Sequence, residues 1–226
     1  MTKSIFLLAT MATLGLASSA MATIAPFNAT YNFSAEGKYN GTATRKLTQI
    51  GNQYRYDVNA NVSKLASANQ TATFFDQNGS VVPVSSSTNY KILGVGRTTL
   101  LNFSPTKKQL ISNYKGKNKV IAMPQTAYDD LSLEVQMRED LKAGKFRGTY
   151  LMADRDTIDS VPFTKSAMTK ITVPAGTFDV VRIDRVHSDK NRQTSFWLAP
   201  KLDYLPVKVQ QIDDGKKLEM NLSKVN

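Results

Sequence analysis

The sequence predicts a mainly β protein: a strongly curved antiparallel sheet, a half-barrel or open barrel, with one central amphipathic helix. Two observations predict the sheet. Apolar and polar residues alternate along most of the chain, as in FNATYNF (residues 27–33) and YRYDVNANV (residues 54–62). Glycine-containing turn signals separate such runs at short intervals. The third observation is a single stretch with helical periodicity, residues 126–144, whose apolar stripe needs a sheet face to cover.

The first 22 residues have the pattern of a secretory signal peptide. Lys3 precedes an apolar run from Ile5 to Leu16, and Ala20-Met21-Ala22 supplies the small residues that precede a signal-peptidase cut. The run is shorter than the ~20 apolar residues that span a bilayer. We therefore expect a signal peptide, residues 1–22, followed by residues 23–226 as a single β-rich periplasmic domain without a transmembrane segment.

The composition points to an exported protein with anionic partners. The chain has no cysteine, so a hydrophobic core rather than disulfides has to stabilise it. It has 29 Lys and Arg residues against 18 Asp and Glu residues. Such an excess favours partners such as a lipid, lipopolysaccharide or a lipoprotein, or serves only solubility. Nucleic acid fits the charge but not the periplasm.

The turn signals place the predicted strands next to one another in an antiparallel order. Glycine adopts the positive φ that tight hairpins require, and five such signals separate strand patterns: Glu36-Gly37, Asn40-Gly41, Gly51-Asn52, Asn78-Gly79 and Asp214-Gly215. The connections are too short for parallel neighbours. VSSSTN, residues 84–89, is predicted as a loop or an edge strand, and GVGR, residues 94–97, as a hairpin turn.

The helix is predicted in TAYDDLSLEVQMREDLKAG, residues 126–144. Three apolar residues fall on one stripe at helical spacing: Leu133, Met137 and Leu141. Thr126 is the predicted N-cap, and Gly144 is the predicted end. Asp129 and Asp130 lie where the helix dipole favours negative charge.

Residue patterns of known reaction types are missing, so the sequence predicts no enzyme, no metal site and no cofactor. His187 is the only histidine, and the chain has no Gly-x-Ser-x-Gly nucleophile motif. DRDTID, residues 154–159, lacks the glycine and the final glutamate of a calcium loop.

Candidate ligand-binding residues cluster toward the C-terminus. Strand alternation in TSFWLA, residues 194–199, puts Trp197 on the face opposite Phe196, where it either packs in the core or contacts a ligand. Tyr204 is expected to cover an open end of the sheet. Arg182 and Arg185 fall on opposite faces of one strand, so one of them can face inward and hold an anionic headgroup. The alternative is an outward cross-strand pair with Asp or Glu.

A second candidate surface is a basic hairpin in KKQLISNYKGKNKV, residues 107–120. Its lysines are Lys107, Lys108, Lys115, Lys117 and Lys119. They suit contact with an anionic membrane surface. The alternative is that they only protect a sheet edge from pairing with other chains.

Three segments, in this order, resemble an exported bacterial family known as domain of unknown function 3108. They are DDLSLEVQMREDLKAG (residues 129–144), VPAGTFDVVRI (residues 173–183) and SFWLAPKLDYLPVKVQ (residues 195–210). The resemblance implies a β-rich periplasmic domain with one central helix, similar to carriers in lipoprotein sorting, and implies no reaction.

Two hypotheses about function follow. The first is a non-enzymatic periplasmic protein whose curved sheet binds an amphiphilic or anionic ligand, a lipid or lipoprotein moiety, during envelope assembly. The alternative is a structural or protein-interaction module with a filled core and no small-molecule ligand.

Overall fold

In the computed structural model, residues 24–62, 66–92 and 95–226 are described. The predicted signal peptide, residues 1–22, lies outside them. The one α-helix of this part of the chain is α1, Asp130–Lys142, and Pro200–Leu202 form a short 3-10 helix. Its strands, in chain order, are β1 Phe27–Ala35, β2 Tyr39–Ile50, β3 Gln53–Val62, β4 Ala66–Gln77, β5 Ser80–Ile92, β6 Val95–Ser104, β7 Gln109–Tyr114, β8 Lys117–Ala122, β9 Thr149–Ala153, β10 Ile158–Val173, β11 Gly176–Arg185, β12 Arg192–Ala199, β13 Leu205–Asp213 and β14 Lys216–Val225.

The strands form a single 14-stranded sheet in the order β8-β7-β6-β5-β4-β3-β2-β1-β14-β13-β12-β11-β10-β9. Every neighbouring pair is antiparallel. The sheet is curved but not closed, because β8 and β9 are edges with no ladder between them in the described residues. The predicted fold class, a mainly β protein with a curved antiparallel sheet around one helix, is confirmed.

Strand alternation places the core where the sequence predicts it. Along β3 every second side chain is buried, from Tyr54 and Tyr56 to Val62, and the residues between them face outward or are half-buried. On β1, Ala29 and Tyr31 are fully buried on the same face. Tyr54, Tyr56 and Val58 of β3 pack in one core with the apolar residues of α1, whereas Ala29 and Tyr31 belong to a second buried cluster.

Asn40-Gly41 is not a turn, and this prediction is wrong. The hairpin turn between β1 and β2 uses Glu36 and Gly37, both with positive φ, and Gly41 lies within β2 opposite Phe33. Glycine is needed there for a different reason. A Cβ at Gly41 would lie 2.0 Å from the carbonyl oxygen of Asn61 on β3, so only glycine permits this close approach of two strands.

The polar stretch VSSSTN is also not a loop or an edge strand. It lies inside β5, which pairs with β4 on one side and β6 on the other. Its hydroxyl groups are accommodated by cross-strand contacts, such as the 2.8 Å hydrogen bond between Ser85 and Thr73. Val95 to Arg97 of the predicted GVGR turn belong to β6, and Gly94 lies outside the described residues.

The helix is found where it is predicted, but Thr126 is not its N-cap. Asp129 caps α1, because its carboxylate accepts hydrogen bonds from the backbone N–H groups of Leu131 and Ser132. Gly144, with a φ of 66°, follows the C-cap as predicted. All residues from 131 to 139 are buried, including the polar ones, because the sheet surrounds the helix rather than covering a single face of it.

The antiparallel order gives the sheet two distinct ends. Turns at residues 36–38, 115–116, 154–157, 186–191 and 214–215 lie at one end, which we call the open end. Turns at residues 51–52, 78–79, 105–108, 143–148 and 200–204 lie at the other, the plugged end. Helix α1 begins near the open end and runs toward the plugged end, where its side chains contact the turns.

The segment between β8 and α1 fills the gap between the two sheet edges. The Tyr128 N–H donates to the carbonyl of Leu151, and the Ala153 N–H donates to the carbonyl of Tyr128, so the segment is attached to β9. On the other side, the Met123 N–H donates to the carbonyl of Lys108. Backbone hydrogen bonds therefore attach this segment to both halves of the sheet.

Candidate functional site

A cavity of about 210 Å³ lies between the first turns of α1 and the concave face of the sheet, at the open end. Its lining is mainly apolar: Phe33, Val58, Ala60, Ala68, Leu131, Leu133, Met137, Met152, Phe163, Phe196, Val209, Leu218 and Met220. The charged residues of the lining are Arg45, Asp130, Glu134, Arg185 and Glu219. Glu134 pairs with Arg45, and Glu219 pairs with Lys208 and Lys217. A single ordered water needs roughly 10–15 Å³ of such space. The cavity therefore has room for part of an apolar chain or for a ring.

The cavity reaches solvent at the open end and has a cationic group there. Tyr90 and Leu218 line it and are also 49% and 40% exposed. Arg185, at the end of β11, lines it as well, and its Nε is buried without a hydrogen-bond partner among the described residues. A buried donor without a partner is unfavourable by about 1–3 kcal/mol. An anionic group at the mouth would supply the missing acceptor.

The wall of the cavity nearest the centre of α1 contains a buried ion pair. Arg45 on β2 and Glu134 on α1 are 3% and 2% exposed, and Arg45 Nη2 donates to Glu134 Oε2. Tyr56 on β3 connects both partners: its hydroxyl accepts from Arg45 Nε at 2.9 Å and donates to Glu134 Oε1 at 2.8 Å. The three groups attach the helix to two neighbouring strands.

The protonation states of Arg45 and Tyr56 fit the hydrogen bonds that the two side chains make with Glu134. Burial alone would lower the pKa of Arg45, but the nearby Glu134 carboxylate raises it above its ordinary value, so the guanidinium stays charged. Burial raises the pKa of Tyr56 well above its ordinary value, so its hydroxyl keeps the proton that it donates to Glu134. Arg45 and Glu134 thus neutralise each other and leave no unpaired charge in this wall of the cavity.

Two further polar side chains hold the second half of α1 in place. Gln136 accepts a 2.7 Å hydrogen bond from the Val81 N–H and donates to the carbonyl of Gly79, at the turn between β4 and β5. Arg138 donates from Nε to the carbonyl of Asp203 at 3.0 Å and lies 4.9 Å from the centre of the Phe27 ring. These contacts fix the helix at the plugged end and leave the open end to the cavity.

The N-cap of α1 makes stability depend on pH. Burial raises the pKa of Asp129 to about 6, although hydrogen bonds from Ser132 and Leu131 favour its charged form. The folded state therefore binds this proton more tightly than the unfolded state, where the value is near 3.8. The stability that the proton contributes is present below pH 4 and is lost as the pH rises through about 6.

We expect Asp129→Asn, which keeps the cap, to remove this dependence. The free energy of unfolding of the natural chain relative to the variant should fall by about 2 kcal/mol between pH 4 and pH 7. Urea unfolding of both proteins across this range measures the difference. A difference that is independent of pH would contradict the assignment.

Trp197 does not line the cavity. It lies half-buried on the face opposite Phe196, packs against the cluster that includes Val180 and Val207, and has Lys208 Nζ 5.2 Å from its ring centre. Phe196, on the other face of the same strand, is the aromatic residue of β12 that contacts the cavity. Arg182 faces outward beside Trp197 and pairs with Asp184 at 2.8 Å.

Of the four candidate ligand-binding residues, Arg185 alone is among those that line this cavity in the described structure. Tyr204 lies at the plugged end, in the turn after β12, where it packs against the main core and borders a separate depression with Leu141 and Phe146. It therefore covers the end of the sheet opposite the cavity. The structure does not bring Trp197, Tyr204 and Arg185 together in one site.

The candidate membrane-contact lysines are also divided between the two ends. Lys107 and Lys108 lie in the turn between β6 and β7 at the plugged end, whereas Lys115 and Lys117 lie at the open end. Lys119, on the edge strand β8, donates to the carbonyl of Asp156 at 2.8 Å and so connects the two sheet edges. The five lysines are not one continuous patch.

Sequence reasoning missed Arg45 and Glu134, although a signal was present on β2. Arg45 occupies the register of Ala43 and Leu47, both buried, so a charged residue interrupts an otherwise apolar face. A charge in a buried register requires a partner. The partner lies 89 residues away on the helix, and no pattern along the chain connects the two positions.

Two other kinds of site are absent from the described residues. No group of three or more His, Cys, Asp or Glu side chains there is arranged to hold a metal ion. No helix in this part of the chain is both long and apolar enough to cross a bilayer.

Comparisons with known proteins agree with the architecture. The fold is similar to a solved structure described as the beta-barrel-like protein of domain of unknown function DUF1849 from Brucella abortus, with a TM-score of 0.56 and 11% identity. The similarity covers 91% of this chain and 98% of that one. At this identity it concerns the fold alone. No curated protein matches the chain. A family model described as "Protein of unknown function (DUF3108)" matches residues 26–223, so the chain belongs to the DUF3108 family.

Proposed function

We propose that this protein binds an amphiphilic anion, an apolar chain with an acidic headgroup, in the cavity at the open end. One observation carries the proposal: a mainly apolar cavity has at its mouth the Arg185 guanidinium, whose buried Nε has no partner in the described structure. The apolar part of the ligand would occupy the space between α1 and the sheet. The headgroup would accept the hydrogen bond that Arg185 has available.

The wider role that we propose is that of a non-enzymatic periplasmic protein that holds a lipid or lipoprotein moiety during envelope assembly. The signal-peptide pattern of residues 1–22 supports export, and the excess of basic residues supports an anionic ligand. The ion pair of Arg45 and Glu134 supports binding rather than chemistry, since its two charges neutralise each other and are hydrogen-bonded.

The proposal is tested with a fluorescent fatty acid, dansylaminoundecanoic acid, titrated into the chain without residues 1–22. We expect saturable binding, and we expect Ala60→Phe, which places a ring inside the cavity, to weaken it at least about tenfold. Ala122→Phe makes the same change on the exposed edge strand β8 and should leave affinity unchanged. Circular dichroism and thermal unfolding establish that each variant is folded.

A second variant keeps the test decisive if Ala60→Phe does not fold. Arg185→Gln should weaken binding of the acid about tenfold, because a charge-assisted hydrogen bond is lost. It should change binding of the uncharged methyl ester less than about twofold. Equal effects on acid and ester would overturn the role of Arg185. If the natural chain binds neither probe, the cavity is not a lipid site, and the alternative of a protein-interaction module replaces the proposal.

A further inference from the structure

The turns of the open end form a rim around the mouth of the cavity. We define the rim as residues 36–39, 90–92, 95–97, 115–117, 154–157, 186–192 and 213–218. These segments come from both halves of the sheet and lie at the ends of its strands. They therefore lie on the same side of the molecule as the mouth of the cavity.

Exposed apolar side chains are concentrated on this rim. Half of the large hydrophobic residues that are exposed in the described part of the chain belong to it: Tyr39, Tyr90, Val95, Val186 and Leu218. Their exposed fractions run from 40% to 75%. Tyr90 and Leu218 also line the cavity, so two of the exposed apolar side chains connect the rim with its interior.

The rim is also basic. Within the rim segments, all of them described, ten Lys and Arg residues accompany six Asp and Glu residues. Asp156 and Asp213 are neutralised by ion pairs with Arg155 and Arg192. Lys38, by contrast, has no carboxylate within ion-pair distance in the described structure, and the same holds for Lys91, Arg97, Lys115, Lys117 and Lys216. Glu36, Asp154, Asp189 and Asp214 of the rim have no ion pair in the described structure either. The rim therefore keeps an excess of positive charge, ten basic minus six acidic residues, beside its exposed apolar groups.

We infer that the rim docks on the surface of an anionic phospholipid bilayer, with the mouth of the cavity facing the lipid. Apolar side chains beside lysines are the combination that enters the headgroup region of such a membrane. The inference rests on the proposed function, since it names the source of the ligand. A lipid would pass between bilayer and cavity along the apolar surface of Tyr90 and Leu218, without crossing water.

Vesicle flotation tests the inference with the chain that lacks residues 1–22. We expect it to float with vesicles of phosphatidylglycerol and phosphatidylethanolamine, to float weakly with phosphatidylcholine, and to be released at high salt. Lys38→Gln/Lys216→Gln should weaken binding at least about tenfold. Lys107→Gln/Lys108→Gln removes the same charge at the plugged end and should have little effect.

A second matched pair of variants tests how much exposed apolar side chains contribute to vesicle binding. Val95→Ser on the rim should weaken vesicle binding, whereas Ile50→Ser at the plugged end should not, although the two side chains are 75% and 71% exposed. Equal losses at both ends would overturn docking through the rim and leave only general electrostatic attraction. Binding to phosphatidylcholine as strong as to anionic vesicles would overturn the choice of partner.

The two proposals fail in different ways. None of Lys38, Val95 and Lys216 lines the cavity, so the rim variants should bind the fluorescent fatty acid in solution as the natural chain does. Fatty-acid binding without flotation would refute docking on a bilayer and leave the cavity as a ligand site. Flotation without fatty-acid binding would refute the ligand site and leave a membrane-docking protein.

Discussion

Replacing Glu134 with alanine is expected to destabilise the protein by about 3–5 kcal/mol. Arg45 is only 3% exposed, and the substitution takes away its carboxylate partner. It also removes the acceptor of the hydrogen bond from the Tyr56 hydroxyl. Arg45→Met should cost a similar amount, because it leaves the Glu134 carboxylate buried alone. Chemical unfolding at neutral pH, followed by circular dichroism, measures both.

The double variant Arg45→Met/Glu134→Leu distinguishes a lost charge partner from lost packing. We expect it to recover most of the stability of either single variant, because two apolar side chains of similar volume need no charge compensation. Asp179→Ala is the control, since its ion pair with Lys170 is largely exposed and screened by solvent, so its loss should change stability little. A double variant whose loss equals the sum of the single losses would contradict direct coupling.

Gly41→Ala should cost at least about 3 kcal/mol. The new Cβ would lie 2.0 Å from the carbonyl oxygen of Asn61 and 3.3 Å from Val62 Cα, so two paired strands would have to separate. Thermal and urea unfolding measure the loss, and amide exchange should be fastest along β2 and β3.

Two other glycines show whether the cost at Gly41 comes from close approach or from backbone conformation. Gly37 and Gly51 have positive φ, but a Cβ at either position meets no atom within 4 Å. Alanine there should cost only about 1 kcal/mol, the strain of the left-handed conformation. If all three variants lose the same stability, the contact between Gly41 and β3 is not the cause.

The strands could be predicted because their information is local. In β3 the alternation of tyrosine, valine and alanine with polar residues is the same in the sequence and in the burial of the side chains. Gly41 shows where local information is ambiguous. Asn-Gly is a strong hairpin signal, but glycine also occurs where two backbones approach closely, and only the position of β3 decides between these causes.

The candidate site was predictable only in part, because the curvature of the sheet around α1 decides which side chains line the cavity. Alternation on β12 separates Trp197 from Phe196, but which face becomes concave depends on how fourteen strands coil around α1. Arg185 could be identified because Arg182 and Arg185 lie on opposite faces of one strand, so one of them has to face the concave side of a curved sheet. Arg45 and Glu134 were not, because each is an isolated interruption of an apolar pattern until the helix brings them together.

The position of β1 next to β14 has a consequence for how the chain folds. All other ladders of the sheet join strands that are consecutive in the chain, whereas the residues paired between β1 and β14 are roughly 190 positions apart. The meanders of β1–β8 and β9–β14 can each grow hairpin by hairpin. Joining them requires a long-range encounter, so we expect the β1–β14 ladder to be the slow step of assembly.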